Sequence, residues 1–102
     1  MSQELVYEAF QGKEASATCS ALGALLAKDN SGFDIEDIAK RLNSDVSSVW
    51  LAISRLRHEI PVLESFPDYK NKEILPNGKV RIYYKYRVKA EFLTALSKLI
   101  ED

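Results

Sequence analysis

Residues 35–56 decide the fold, and they read IEDIAKRLNSDVSSVWLAISRL. Apolar side chains recur at helical spacing over 34–42 and again over 46–60, and only three residues separate the two segments. Asn43, in that gap, can adopt the left-handed conformation that a tight turn requires. A short helix joined at once to a longer one predicts a helix-turn-helix unit, with the small side chain of Ala39 where the helices cross.

Helical periodicity also covers the ends of the chain. The Ala-rich segment 14–28 predicts a first helix of the domain, and residues 89–102 predict a C-terminal helix. Residues 1–13 fit either a short helix or an N-terminal arm. The C-terminal helix could pack on the domain or form the seam of a homodimer. The N-terminal residues that could join such a seam are Leu5, Val6 and Phe10.

Two strands are predicted after the helix-turn-helix unit. Apolar and mainly basic side chains alternate over 79–88, and a shorter strand is expected at 62–66. The segment 67–75 between them is polar and predicts a long loop, whose last three residues could extend the hairpin. The sequence therefore predicts an α+β domain over 14–88, with a core of three helices and a two-stranded hairpin.

Residues 56–65, LRHEIPVLES, lead from the second helix of the unit into the first strand. With residues 35–56, they resemble the bacterial winged-helix DNA-binding regulators, in particular the DNA-binding domain of the biotin-operon repressor. The resemblance implies a winged-helix fold, with 46–60 as a recognition helix in the major groove. It also implies a wing over 66–81 that touches the DNA backbone or minor groove. The ligase domain of that repressor has no counterpart here, so no enzymatic activity is implied.

The helical repeat over 46–60 separates a buried face from an outward one. With Val49 directed to the core, the polar side chains of the segment fall on the opposite face at about 100° per residue. A helix in the major groove needs hydrogen-bonding groups, a cation and an apolar contact for a thymine methyl group. The predicted contacts of this helix with DNA are Ser47, Ser48, Leu51, Ser54, Arg55 and His58. Trp50, on the flank, is expected to pack beneath the N-terminal arm or the last helix.

The charge of the chain is unevenly distributed. The total is −1, but residues 55–89 hold nine basic and four acidic side chains, nine minus four giving +5. The remainder holds five basic and eleven acidic side chains, which gives −6. Phosphate contacts dominate nucleic-acid affinity, so a near-neutral total does not argue against DNA binding. The predicted phosphate contacts of the wing are Lys70, Lys72, Lys79 and Arg81.

Composition excludes several other classes of protein. A chain of 102 residues fits one domain and leaves little room for a large buried active site. Cys19 is the only cysteine, which excludes an internal disulfide and a Cys-rich zinc module. His58 is the only histidine, and no nucleophile elbow accompanies it. No apolar run approaches the roughly 20 residues that a membrane span needs. We therefore expect a cytoplasmic, non-enzymatic protein with no cofactor, no metal and no membrane partner.

Two functions remain open at this point. The first is a sequence-specific double-stranded DNA-binding protein, a small transcriptional regulator of prokaryotic or phage type. The alternative is a winged helix that binds or inhibits a protein partner without binding DNA. The total charge of −1, a recognition helix with only two arginines, and the apolar residues Trp50 and Leu51 favour the alternative.

Overall fold

The computed structural model describes residues 2–101. Met1 and Asp102, the outer ends of the predicted terminal segments, lie outside the described residues. The helices are α1 (Ser2–Gln11), α2 (Ala17–Lys28), α3 (Ile35–Leu42), α4 (Val46–Ser54) and α5 (Leu93–Glu101). A π-helical turn, Arg55–Glu59, extends α4, and a 3₁₀ turn, Ala90–Phe92, leads into α5. The strands are β1 (Leu63–Ile74) and β2 (Val80–Val88). This is an α+β winged helix, as the sequence predicts.

Local hydrogen bonds define the helix-turn-helix unit. The backbone N–H of Asp37 donates to Asp34 Oδ1 at 2.8 Å, which caps the start of α3. Asn43 ends α3 in the left-handed region with φ 52°. The Ser48 N–H then donates to Asp45 Oδ1 at 2.8 Å and caps α4. These contacts lower the pKa of the Asp45 carboxyl, because its ionised form accepts the hydrogen bonds from Ser48 more strongly.

The hairpin is longer than the sequence predicts. Strands β1 and β2 pair in antiparallel register from Leu63 opposite Val88 to Ile74 opposite Val80. Most of the segment predicted as a long loop over 67–75 is therefore strand, because β2 supplies hydrogen-bond partners to a polar strand as readily as to an apolar one. Only the register between Asp68 and Glu73 is irregular, so residues 69–72 form a bulge in β1.

An isolated β-bridge adds one residue to the edge of the two-stranded sheet. The N–H of Phe33 donates to Tyr86 O at 3.1 Å, and the N–H of Tyr86 donates to Phe33 O at 2.8 Å. This pair lies on the edge of β2 that faces away from β1. A single bridging residue carries no alternation pattern, so the sequence analysis did not identify it.

Helices α1 and α5 close the core at the ends of the chain. Val6, Phe10 and Leu96 are fully buried, and Phe10 packs directly on Gly23 of α2. A Cβ atom at Gly23 would come within 2.8 Å of the Phe10 ring, so the close approach of α1 to α2 requires glycine there. Val6 and Phe10 are not available to a homodimer seam, because both side chains lie inside their own chain, and the homodimer itself stays a prediction. In the described part of the chain, no helix is long and apolar enough to cross a membrane.

Candidate nucleic-acid interface

The outward face of α4 is more apolar than the sequence analysis implied. Leu51 is 70% exposed, Val46 50% and Trp50 47%. The expectation that Trp50 packs beneath the N-terminal segment or the last helix is therefore wrong. Positions 46 and 50 are one helical turn apart, so their side chains share one flank of α4. The contact with α1 is made instead by Arg55, at the carboxyl end of the helix.

The polar residues predicted for this face differ in exposure. Ser47 and His58 are exposed, whereas Ser48 and Ser54 are half-buried. The backbone of Ser48 also takes part in the cap of the helix through Asp45. Hydroxyl and imidazole groups thus accompany Leu51 along the helix, and both kinds of group can bond to base edges or to phosphates.

Arg55 does not extend outward, and its assignment as a DNA contact is wrong. Its Nη1 donates to the carbonyl of Ala9 at 2.6 Å, and its Nη2 donates to the carbonyl of Glu8 at 3.1 Å. The last carbonyls of a helix lack partners within it, and the guanidinium supplies donors to two of those of α1. The π-helical turn that begins at Arg55 also ends the 100° spacing on which the prediction relied.

Arg57 is likewise held against the protein. Its guanidinium carbon lies 5.5 Å from the centre of the Tyr86 ring, and its side chain is half-buried. Since Arg55 binds the end of α1, neither arginine of 46–60 belongs to the outward face of α4. That face of α4 therefore presents serines and apolar groups, and His58 is exposed on the π-helical turn that follows it.

The four cations predicted for the wing are exposed. Lys70 and Lys72 stand on the bulge of β1, Lys79 follows the tip of the hairpin, and Arg81 lies on β2 with its guanidinium 5.2 Å from the centre of the Tyr83 ring. Within residues 2–101 none of the four makes an ion pair. The other basic residues of the hairpin do pair, Lys85 with Asp68 at 3.5 Å and Arg87 with Glu64 at 2.7 Å. The wing thus keeps four cations that could contact an anion.

Asp68 holds the bulge in shape. Its carboxylate accepts hydrogen bonds from the Lys70 N–H at 3.3 Å and from Asn71 Nδ2 at 2.7 Å, and it pairs with Lys85. Burial would raise the pKa of Asp68, but the hydrogen bonds and the charge of Lys85 outweigh it, so that pKa lies below its ordinary value. The sequence analysis missed this role. A signal was present, because an aspartate two residues before a backbone N–H commonly forms such a turn.

A groove of about 420 Å³ joins the helix-turn-helix unit to the wing. The start of α3 and the first residue of α4 form one wall, and the hairpin forms the other. The lining residues are Asp34, Ile35, Glu36, Val46, Asn71, Arg81, Ile82, Tyr83, Tyr84 and Tyr86. The start of α4 and the wing therefore border the same groove. The charge along it is mixed, since Asp34 and Glu36 face a wall that carries Arg81.

Glu73 on β1 also fixes a side chain of this groove. The Tyr83 hydroxyl donates to Glu73 Oε2 at 2.9 Å, and this bond to the carboxylate raises the pKa of Tyr83 above its ordinary value. Among the described residues, no group of three or more His, Cys, Asp or Glu side chains is arranged to hold a metal ion. The groove is thus lined by tyrosine rings and by single charges.

Comparison with solved structures supports the fold. A possible transcriptional regulator from Methanosarcina mazei Go1 superposes with a TM-score of 0.59, over 97% of this chain and 76% of that one, at 16% sequence identity. Identity this low establishes a shared fold and no more. No family model matches the sequence, and no curated protein matches it. The narrower resemblance to the biotin-operon repressor therefore stays a prediction.

Proposed function

We propose that this protein is a double-stranded DNA-binding protein that acts as a small transcriptional regulator of prokaryotic or phage type. The observation that carries the proposal is the shared groove between the start of α4 and the wing. A winged helix that binds DNA with its recognition helix needs both elements on one side of the domain. The name of the structural neighbour, a possible transcriptional regulator, agrees with this role.

In this proposal α4 enters the major groove and the wing lies on the backbone or the adjacent minor groove. Ser47, Ser54 and His58 would bond to bases or phosphates, and Leu51 would make apolar contact. Lys70, Lys72, Lys79 and Arg81 would contact phosphates, because they are exposed and lack ion-pair partners in the described chain. Four phosphate contacts imply a slope of about −3.6 for the logarithm of the binding constant against the logarithm of salt concentration.

We further propose that the protein works by binding and catalyses no reaction, in the cytoplasm where bacterial DNA lies. His58 is exposed near the end of the recognition helix, and within residues 2–101 its side chain makes no hydrogen bond with a serine or a carboxylate. A general base needs a positioned group within hydrogen-bond reach. A DNA-binding role accounts for an exposed histidine without such a group.

Fluorescence anisotropy tests the proposal directly. A labelled pool of short genomic duplexes is titrated with the protein at a low and at a near-physiological salt concentration, with a neutral, uncharged polymer as the control ligand. We expect binding at low salt that weakens steeply as salt is added. Absence of binding at low salt would contradict the proposal.

A second candidate function is docking of a protein partner. The exposed side chains of Val46, Trp50 and Leu51 on α4 favour it, because large apolar groups that cluster on a surface often mark protein interfaces. Asp34 and Glu36 beside the groove also favour it, since they would repel phosphate. A pull-down from lysate with and without nuclease separates the two functions. A partner retained after nuclease treatment, with no DNA recovered, would support the protein-docking function.

A further inference from the structure

The recognition helix α4 lacks the group that most often reads guanine. Specific contacts to guanine are made most commonly by arginine or lysine, which bond in pairs to the O6 and N7 atoms. In this chain Arg55 donates to the carbonyls of Glu8 and Ala9, and Arg57 lies against the ring of Tyr86. No lysine occurs between residues 46 and 60. The outward face of α4 therefore has no long cation with which to select guanine.

What the same face does present is Leu51. Its side chain is 70% exposed, on the second turn of α4. Ser47 lies four residues before it and Ser54 three residues after it, so the two hydroxyls flank the leucine on the helix surface. Serine can bond to any base, and so it selects little. The leucine is different, because the C5 methyl group of thymine is the one apolar group that the major groove offers.

The position of Leu51 suits contact with bases. In helix-turn-helix proteins the amino-terminal part of the recognition helix meets the base edges. Leu51 is the sixth residue of α4, ahead of the π-helical turn. Val46, five residues earlier at the start of the helix, lines the groove shared with the wing. A wing seated on phosphates would thus leave this part of α4 facing the major groove.

We propose that Leu51 recognises thymine methyl groups, so that the base pairs that face α4 are A·T-rich in the preferred DNA. This inference rests on the proposed function. The serines would tolerate either base pair, the wing cations would supply affinity, and Leu51 would supply the preference. Uracil pairs with adenine as thymine does but lacks the methyl group, so replacing thymine with uracil isolates the contact.

The experiment combines a change in the DNA with a change in the protein. A tight-binding duplex is first selected from a random library, and a second duplex of the same sequence is made with uracil in place of thymine. The wild-type protein and Leu51→Ala are titrated against both by fluorescence anisotropy. We expect the wild type to bind the uracil duplex about fourfold more weakly for each methyl group contacted, the ratio expected for loss of one buried methyl.

The Leu51→Ala variant tests whether the thymine preference depends on Leu51. Leu51→Ala should bind the two duplexes equally, at about the affinity of the wild type for the uracil duplex. Tyr7→Ala, which likewise removes a large exposed hydrophobic side chain from a helix, serves as the matched control and should keep the wild-type preference. Leu51 is exposed, so its replacement should leave the fold intact, and circular dichroism checks this.

Each contrary outcome has one meaning. Equal affinity of the wild type for thymine and uracil duplexes would overturn the inference and leave DNA binding intact. A thymine preference that persists in Leu51→Ala would also overturn it. Selected sites that are G·C-rich where α4 lies would do the same. Failure of the wild type to bind any duplex at low salt would overturn the proposed function together with the inference.

Discussion

The guanidinium of Arg55 donates a 2.6 Å hydrogen bond to the carbonyl of Ala9, which lies 46 residues earlier in the chain. This contact joins the turn that follows α4 to the carboxyl end of α1. Arg55 is therefore a structural residue, because its guanidinium bonds to the backbone of its own chain. Replacement of Arg55 should therefore affect the stability of the fold and not the choice of DNA sequence.

Replacing Arg55 with alanine should destabilise the protein without altering its choice of DNA sequence. The change leaves the carbonyls of Ala9 and Glu8 without their charged donor. A hydrogen bond to a charged group contributes about 1.5–3 kcal/mol, and only the part-buried bond to Ala9 should contribute in full, because the bond to Glu8 is exposed to solvent. We expect a loss of about 2 kcal/mol in the free energy of unfolding, measured by urea denaturation. The ratio of specific to non-specific DNA affinity, measured well below the melting temperature, should stay the same. If a fully folded Arg55→Ala variant showed a weaker sequence preference, Arg55 would have to contact DNA after all.

Removing two wing cations should weaken binding to every DNA sequence alike. The double variant Lys79→Ala, Arg81→Ala deletes two of the four exposed cations that lack an ion pair in the described chain. The salt slope should become shallower by up to about 1.8, since each phosphate contact contributes about 0.9. Anisotropy titrations over a range of salt concentrations measure it.

The double variant Lys28→Ala, Lys98→Ala is the matched control for this prediction. It removes the same charge from exposed lysines of α2 and α5 that do not line the groove. Its salt slope should equal that of the wild type within error. Equal slopes for the two double variants would place the phosphate contacts somewhere other than the hairpin tip.

Asp68→Ala should weaken DNA binding through the lysines of the bulge. The carboxylate holds the bulge through the Lys70 N–H and the Asn71 amide, so its loss should let Lys70 and Lys72 adopt many orientations. In a background that already carries Lys70→Ala and Lys72→Ala, the same replacement should cost no further affinity. Anisotropy measurements on the four proteins of this cycle test the coupling. Additive losses would mean that Asp68 acts on the fold as a whole.

The cap of α4 should make stability depend on pH in acid. The pKa of Asp45 is lowered by the hydrogen bonds from Ser48, so the ionised cap stabilises the fold at pH values above the unfolded pKa of 3.8. The contribution is lost as the pH falls below that value and through the folded pKa. Asp45→Ala should therefore melt at a lower temperature than the wild type at pH 7. The difference should shrink below about pH 4. A difference that does not change with pH would show that ionisation of the cap is irrelevant.

Glu36→Gln should strengthen DNA binding if phosphates pass along the shared groove. Glu36 is exposed and lines that groove, where its charge repels a phosphate. Exposed charge pairs are worth about 0.2–1 kcal/mol, so the gain should be less than about fivefold at low salt. Glu14→Gln, which removes an exposed acid ahead of α2, is the control and should bind as the wild type does. Unchanged or weaker binding by Glu36→Gln would indicate that phosphates do not pass along this groove.

The helix-turn-helix unit could be predicted from the sequence because its determinants are local. Asp34 and Asp45 cap the helices that directly follow them, and Asn43 provides the left-handed turn within the same stretch. Strand β2 could be predicted equally well from its alternating apolar and polar side chains. These signals lie within a few residues of the structure that they specify, so no knowledge of tertiary contacts is needed.

The errors have the opposite cause. The hydrogen bonds of the Arg55 side chain depend on where the end of α1 lies in the fold. No sequence pattern near residue 55 indicates that position. The polar part of β1 became strand because β2 pairs with it, whereas its own composition indicated a loop. Phe33 pairs with Tyr86 through an isolated β-bridge, which no local pattern indicates. The candidate DNA contacts on α4 were therefore the least predictable part of the interface. The exposure of the wing lysines was easier to predict, because it follows from a hairpin that faces solvent.

The contact between Arg55 and α1 also bears on how far the protein can be shortened. A fragment cut to residues 14–88 would keep every element proposed to contact DNA but would lose Phe10 and Leu96 from the core. It would also leave the guanidinium of Arg55 without the carbonyls that receive it. We expect such a fragment to be insoluble or unfolded. The smallest fragment that we expect to fold on its own therefore runs from α1 to α5. It is longer than the helix-turn-helix unit and hairpin alone.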